Sequence, residues 1–359
     1  MDIRFIKSRL LNSACIYKSS YECWPGIESN ASPVASSSFA STWEEINKQT
    51  EHQFGIMRAT REQNLPRVAQ VKCKVICIIP YLKDHNYLAE AIRSILSQTR
   101  RPDSIIVGID NSGQGDCREI RKVFSSLGAD GIRISIRHYP GLNGPYHILN
   151  SIVGGLEDDA YVWLHDSDDI SHQTRLELQL QFMDHHQLDM CGCFELRFSS
   201  LGIELFQYPL NVTRALLIEP GHCMLWPSSL IKVSLWKRLA GCSDKYRFGS
   251  DTEFQLRACF VARMGNIPSF LYARRKRENS LTASKHTGHR SWIRGYINSV
   301  FKAEYYQRQM IRSSGGTPLL TARFVKSNCG EPGERTVEEL TDMSKSSYTQ
   351  IYSPQGSSS

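Results

Sequence analysis

Short apolar runs and longer amphipathic stretches alternate along the first half of the chain. Val75-Ile76-Cys77-Ile78-Ile79 is an unbroken apolar run of strand length, stopped by Pro80. A run with no polar alternation predicts a strand covered on both faces, as in a parallel sheet. Leu88, Ala89, Ile92, Ile95 and Leu96 then recur near the helical period. Ser104 to Ile109 is a second strand ending at Asp110. After the turn Asn111 to Gly115, Asp116 can cap a helix carrying Ile120, Val123, Phe124 and Leu127. Ile132, Ile134 and Ile136 alternate as a third strand. Pro145 opens a helix with Ile148, Leu149, Ile152 and Val153, and Tyr161 to Leu164 is the fourth strand. Four strand–helix repeats with short loops predict an α/β layered fold.

The pattern changes in the second half. A helix is expected from Thr174 to His185, then antiparallel strands at Met190–Phe194 and Ala215–Ile218. Further helices are expected at Leu230–Leu239 and Thr252–Met264, with a short strand at Phe270–Tyr272. A long amphipathic helix runs from Trp292 to about Met310; packing on the domain, on a second subunit or on a membrane surface all suit it. The expected organisation is a partly helical or disordered leader over 1–70, a main domain over 71–285, the helical segment over 286–325 and a flexible tail over 326–359. Within the leader, 42–62 read as a polar helix.

Bulk properties narrow the class. The chain has 359 residues, 41% hydrophobic and 22% charged, which is ordinary for a globular protein. A net charge of +7 suits an anionic ligand or surface but is too mild to imply nucleic acid. No stretch approaches the ~20 apolar residues of a membrane span, and Arg4, Lys7 and Arg9 precede no sustained apolar segment of a secretory signal. The eleven cysteines are scattered, as buried thiols in a reducing compartment would be. The expected location is cytoplasmic, with peripheral membrane contact and homo-oligomerisation left open.

Candidate chemistry gathers where the fourth strand ends. Tyr161-Val-Trp-Leu164 gives way to His165-Asp166-Ser167-Asp168-Asp169. Three carboxylates this close repel one another unless a positive group sits among them. A hard divalent cation, Mg²⁺ or Mn²⁺, would serve, and could hold a diphosphate. An ordinary acidic turn into the next helix is the competing reading. Asp110, at the end of an earlier strand, could accept from a base or sugar hydroxyl or cap the next turn. Open sheets place their ligands at such strand ends. Neither a Walker-type phosphate loop nor a dinucleotide fingerprint is present.

Several segments together resemble the family 2 glycosyltransferases. Lys74 to Tyr81 followed by Tyr87 to Thr99 is similar to that family's opening. Ile109-Asp110-Asn111-Ser112 stands where the family usually has Asp-Asp-Gly-Ser. Asn150 matches an asparagine in the helix before the acidic motif, and Leu164 to Asp169 matches the Asp-X-Asp element. Phe248 to Arg257 resembles the acceptor-side segment, and Arg274 to Thr282 a further element. The resemblance covers about 74–285 and implies a GT-A-like, Rossmann-type mixed sheet with helices on both faces.

It also implies inverting transfer of a sugar from a nucleotide-diphosphate sugar, first of all a UDP-sugar, to an acceptor hydroxyl. The acceptor would be a glycan, a lipid-linked sugar, a protein or a small molecule. Pro80, Tyr81 and Asp110 would frame the nucleotide, with Asn150 beside them. Asp166 and Asp168 would meet the ribose, diphosphate and metal. Asp251 would be the general base, with Glu253 as its rival, and Arg257 would brace that helix or help position the base. Arg274, Arg275 and their basic neighbours, with His286, would meet the leaving diphosphate. The alternatives are a non-catalytic sugar-nucleotide-binding protein of the same fold and a nucleotidyltransferase, which would need a Gly-rich basic loop after the first strand.

Overall fold

The computed structural model describes residues 41–48, 73–82, 85–110, 117–127, 131–139, 143–200, 202–244, 248–277 and 291–322. Residues 41–48 form a helix, α1. The apolar run becomes strand β1 (Val75–Tyr81), and its neighbours explain why it lacks polar positions. It pairs in parallel with β2 (Ser104–Asp110) on one side and with β4 (Tyr161–Leu164) on the other. Its side chains alternate between two cores: Ile76 and Ile78 enter one, Val75, Cys77 and Ile79 the other. A strand buried on both faces needs apolar residues at every position. β3 (Arg133–Tyr139) pairs with β2 at the sheet edge, where half-exposed alternation suffices.

Helices α2 (His85–Leu96), α3 (Cys117–Ser126) and α4 (Pro145–Val153) follow these strands as the periodicity predicts. α4 lies very close to β2. A Cβ on Gly108 would stand 2.3 Å from Cγ2 of Ile148, so the strand needs glycine there.

The remaining elements are β5 (Ile170–Ser171), α5 (Arg175–His186), β6 (Met190–Ser199), β7 (Gly202–Phe206), α6 (Val212–Ile218), β8 (Leu230–Lys232), α7 (Val233–Arg238), α8 (Ser250–Ala258), β9 (Met264–Arg275) and α9 (Trp292–Ser313). The mixed sheet runs β3-β2-β1-β4-β8-β6-β9-β5, with β7 on β6. Helices cover both faces, giving the expected GT-A-like α/β architecture.

Four expectations are corrected here. Ala215 to Ile218 is helical, because the Asn211 side chain accepts from the Arg214 amide at 2.9 Å and starts α6. The Leu230–Leu239 segment begins as a strand, since residues 230–232 pair with β4 before α7 starts. The expected helix to Met264 stops at Ala258. Met264 instead opens a 12-residue strand, far longer than Phe270–Tyr272, that pairs with β6 over most of its length.

The β6–β9 pairing is irregular around Phe194, opposite Phe270. α1 covers that irregularity. The Asn47 amide accepts from the Phe270 N–H at 2.9 Å and donates to its carbonyl at 3.1 Å, and Trp43 Nε1 donates to the same carbonyl. Trp43 and Ile46 complete a small core with Phe194, Leu196, Phe270 and Ala273. The rest of the leader, the tail beyond 322, the Asn111–Asp116 turn, the Asn279–Thr282 motif and His286 lie outside the described residues.

Candidate functional site

The C-terminal ends of β1, β2 and β4 open on the same edge of the sheet, and the acidic residues stand there. The end of β4 is tied from several sides. The Leu164 amide donates to Ser229 O at 2.9 Å, the His165 amide to Ile78 O at 3.2 Å, and Arg175 Nη2 to Leu164 O at 2.8 Å. Arg175 is fully buried, with its guanidinium 4.4 Å from the Trp163 ring centre and 4.9 Å from that of Tyr272. His165 is buried too, and burial with the nearby Arg175 charge holds its pKa down at about 3. The ring is therefore neutral. Its Nδ1 lies 2.6 Å from the Asp166 carbonyl, an acceptor, so Nδ1 carries the proton.

From this anchored corner, Asp166, Asp168 and Asp169 bring one oxygen each to within 4.8 Å of one another, a cation-sized cluster. Burial and the Asp168 carboxylate push the Asp166 pKa up to about 7, against the pull of Arg274 and Arg277. Asp169 is 2% exposed, and burial and its two acidic neighbours push it up as well. Two of the acids already have partners, one a guanidinium and one a backbone amide. Arg277 Nη2 lies 2.6 Å from Asp168 Oδ2, and the Arg275 amide donates to Asp169 Oδ1 at 2.8 Å. An all-oxygen donor set with raised carboxyls is what a hard divalent cation relieves.

The other expected site residues take distinct places. Asp110 accepts the amides of Asn143 at 3.0 Å and Gly144 at 2.9 Å, one on each oxygen, and so fixes the start of α4. Asn150 uses both ends of its amide on Cys242, donating to its carbonyl and accepting from its N–H, each at 2.8 Å. The Tyr81 ring is 1% exposed and belongs to the core; Pro80 beside it is partly exposed. Arg275 pairs with Glu90 and stacks on Tyr87 and Phe198, and its Nε donates to the Asp168 carbonyl at 3.1 Å, so it braces the acidic loop through the backbone. Arg274 lies 3.6 Å from the fully buried Glu195. The Glu195, Asp169 and Asp166 carboxylates raise its pKa despite burial.

In the Phe248–Arg257 segment, Gly249 caps α8 with φ 86°, and Asp251 sits in the first turn. Tyr146 Oη donates to Asp251 Oδ1 at 3.3 Å, and His222 Nδ1 stands 3.9 Å from Oδ2. The Asp251 side chain is 23% exposed, and its charge is felt by Asp166. Glu253 faces the other way. It is 3% exposed and held by Arg257 through two bonds of 2.6 and 2.8 Å, while Arg257 also binds the carbonyls of Leu239, Gly241 and Leu320. Arg257 is thus the brace, and Glu253 its counter-ion.

Tyr146, His222, Tyr208 and Glu195 were not singled out in the sequence. Tyr208 Oη donates to Glu195 at 2.6 Å, and its ring faces that of His222, so these residues link Arg274 to the Asp251 side. They are spread over 77 positions, from Tyr146 on α4 and Glu195 on β6 to Tyr208 and His222 in loops, and no local spacing marks them. Arg277 was visible only as part of the basic run.

Comparison with known proteins completes the description. Residues 76–207 match the family model described as Glycosyl transferase family 2. A protein of Bacillus subtilis (strain 168) carrying the name glycosyltransferase EpsE is 27% identical over 174 residues, which is 47% of this chain and 59% of that protein. A Rickettsia conorii (strain ATCC VR-613 / Malish 7) protein, described as an uncharacterized glycosyltransferase, is 30% identical over 46% of this chain and 25% of its own length. The chain thus spans well under two thirds of the curated relatives it matches. Among solved structures, S. aureus TarS 1-349 in complex with UDP-GlcNAc aligns with TM-score 0.48 and 17% identity over 58% of this chain and 60% of that chain. A Pyrobaculum calidifontis mannosyltransferase in complex with GDP-Man and Mn2+ aligns with TM-score 0.45 and 14% identity over 76% and 75%. Likeness at that level is no guide to substrate.

Proposed function

The chain carries a family 2 glycosyltransferase domain, and from that premise we propose that it transfers a sugar from a nucleotide-diphosphate sugar to an acceptor hydroxyl, with inversion. The observation that carries this reading is the Asp166-Asp168-Asp169 cluster at a strand end, with Asp251 facing it in electrostatic reach. Asp166 and Asp168 would hold a Mg²⁺ or Mn²⁺ ion, which when bound neutralises charge on a diphosphate.

The chain's own groups divide the remaining work. Asp251 takes the proton from the acceptor hydroxyl as that oxygen attacks the anomeric carbon. Tyr146 holds Oδ1 and His222 stands 3.9 Å from Oδ2, so the two side chains orient this carboxylate. Arg277 already sits on an acid of the cluster and Arg274 lies behind it, so both can meet the negative charge of the departing diphosphate. Pro80 and Asp110 line the strand ends where a nucleotide would enter. A UDP-sugar is the first donor to test.

A donor panel with Mn²⁺ and each acceptor class, read by release of nucleoside diphosphate, tests the reaction. Asp251→Asn is expected to lower transfer by about 10²–10⁴-fold while donor affinity holds. Asp168→Asn is expected to weaken donor binding itself. Silence of every donor–acceptor pair would refute the transferase reading, and equal donor affinity in the two variants would refute the division of roles.

A further inference from the structure

α9 has two faces of opposite fate. Ile297, Phe301 and Tyr305 are buried against the domain. On the far side, Trp292, Tyr296, Ser299, Ala303, Tyr306 and Met310 follow one another at spacings of four and three, which puts them on one stripe of the helix. All six are exposed. The exposures of Trp292, Tyr296, Tyr306 and Met310 are 64%, 61%, 54% and 73%. These are four of the seven large apolar side chains most exposed among the described residues. A fifth, Ile218 at 71%, ends α6 beside this helix, where the carbonyls of Leu216 and Leu217 accept from Tyr305 and Gln309. Such a concentration marks an interaction surface.

The charges select the occupant. α9 carries Arg294, Lys302, Arg308 and Arg312 against one acid, Glu304, which is half-buried 3.5 Å from Arg308. Of the two exposed charges on this helix, Lys302 flanks the stripe, while the Arg312 guanidinium lies 5.8 Å from the Phe260 ring centre on the domain side; the chain as a whole carries a net charge of +7. Tryptophan and tyrosine have an apolar body and a polar tip, which suits the boundary between headgroups and acyl chains. A second copy fits less well. Antiparallel pairing along the stripe would bring Lys302, at the helix midpoint, against its own counterpart, with Ser299 in the seam.

We propose that the exposed face of α9 docks on an anionic lipid surface. The aromatic stripe lies in the interface plane and Lys302 beside it reaches the headgroups. The buried face of α9 packs on the start of α8, where a Cβ on Gly249 would stand 3.2 Å from the Phe301 ring. Docking therefore holds the start of α8, which carries Asp251, about one helix diameter from the bilayer, within range of a lipid-linked acceptor. That consequence rests on the reading of Asp251 given above; the docking does not.

The test is co-sedimentation of the full chain with phosphatidylcholine vesicles, with and without about 30% phosphatidylglycerol. Binding to the anionic vesicles, weakened by salt, is expected. The combined variant Trp292→Ser, Tyr296→Ser, Tyr306→Ser should bind at least about ten-fold less with an unchanged thermal midpoint, since these side chains support no core. Lys302→Glu should reduce binding about five-fold or more. Equal sedimentation with neutral and anionic vesicles, or full binding by the triple variant, overturns the proposal. So does light scattering that finds a dimer of the full chain which the triple variant makes monomeric, because the face then belongs to a second copy. Sedimentation needs no turnover, so a silent donor panel leaves this result standing.

Discussion

At the scale of residues, the acids of the strand end differ in what surrounds them. Burial and the neighbouring carboxylates raise Asp166 to about 7 and raise Asp169 above its ordinary range. A raised carboxyl favours the protonated folded state. Its contribution is full below the ordinary value of 3.8 and is lost as pH rises toward about 7. The thermal midpoint of the cation-free protein should therefore fall between about pH 5 and about pH 8, and Asp166→Asn should flatten that fall. Mn²⁺ should raise the midpoint more at the higher pH, because its ligands must be deprotonated. An equal Mn²⁺ effect at both pH values would argue against the cluster as the cation site. Asp251 and Glu253 make a second contrast. The sequence leaves them as rivals two positions apart, and packing separates them. Glu253→Gln should cost about 3–5 kcal/mol in urea unfolding, because it strands the buried Arg257 charge. Asp251→Asn, at a partly exposed position, should leave stability nearly unchanged; the reverse ordering would mean the two acids have been misassigned.

At the scale of elements, the site depends on how closely helices approach the strand ends. Asp110 clamps the start of α4, and Gly108 lets that helix lie against β2. Gly108→Ala should push α4 off the sheet, costing about 1–3 kcal/mol by denaturant unfolding. The same shift should disturb Tyr146, which α4 carries to Asp251. An unchanged midpoint would show that Ile148 moves aside freely. Elements of the first half were legible because each strand–helix unit is long, periodic and bounded by Pro, Gly or Asp. α6 was misread because Ala215-Leu-Leu-Ile218 is too short for its period to distinguish helix from strand. The distinction rests on one Asn211 side-chain bond.

At the scale of the whole molecule, α1 shows a dependence that distance along the chain conceals. It lies more than 200 positions before β9, yet Trp43 and Asn47 satisfy the Phe270 backbone where the β6–β9 pairing is irregular. The same strand ends in Arg274 and Arg275, beside the acids. Trp43→Ala should destabilise the fold by about 3–5 kcal/mol in thermal or denaturant unfolding, although Trp43 itself carries none of the proposed chemistry. A change below about 1 kcal/mol would mean that α1 contributes little to the domain. Among the described residues, no helix is long and apolar enough to cross a membrane.

The sequence by itself determined the α/β class, the acids at strand ends and the order of the family motifs. All of these are written in local periodicity and in short contiguous segments. Tertiary structure decided which acids share a site and which are counter-ions. It turned Asn150 to Cys242, Arg275 to Glu90 and Arg277 to Asp168, and it brought Tyr146, His222 and Glu195 in from separate elements. The physical reason is that a side chain's partner is fixed by burial and by which strands lie side by side. In a mixed sheet of order β3-β2-β1-β4-β8-β6-β9-β5, neighbours in space are often far apart along the chain.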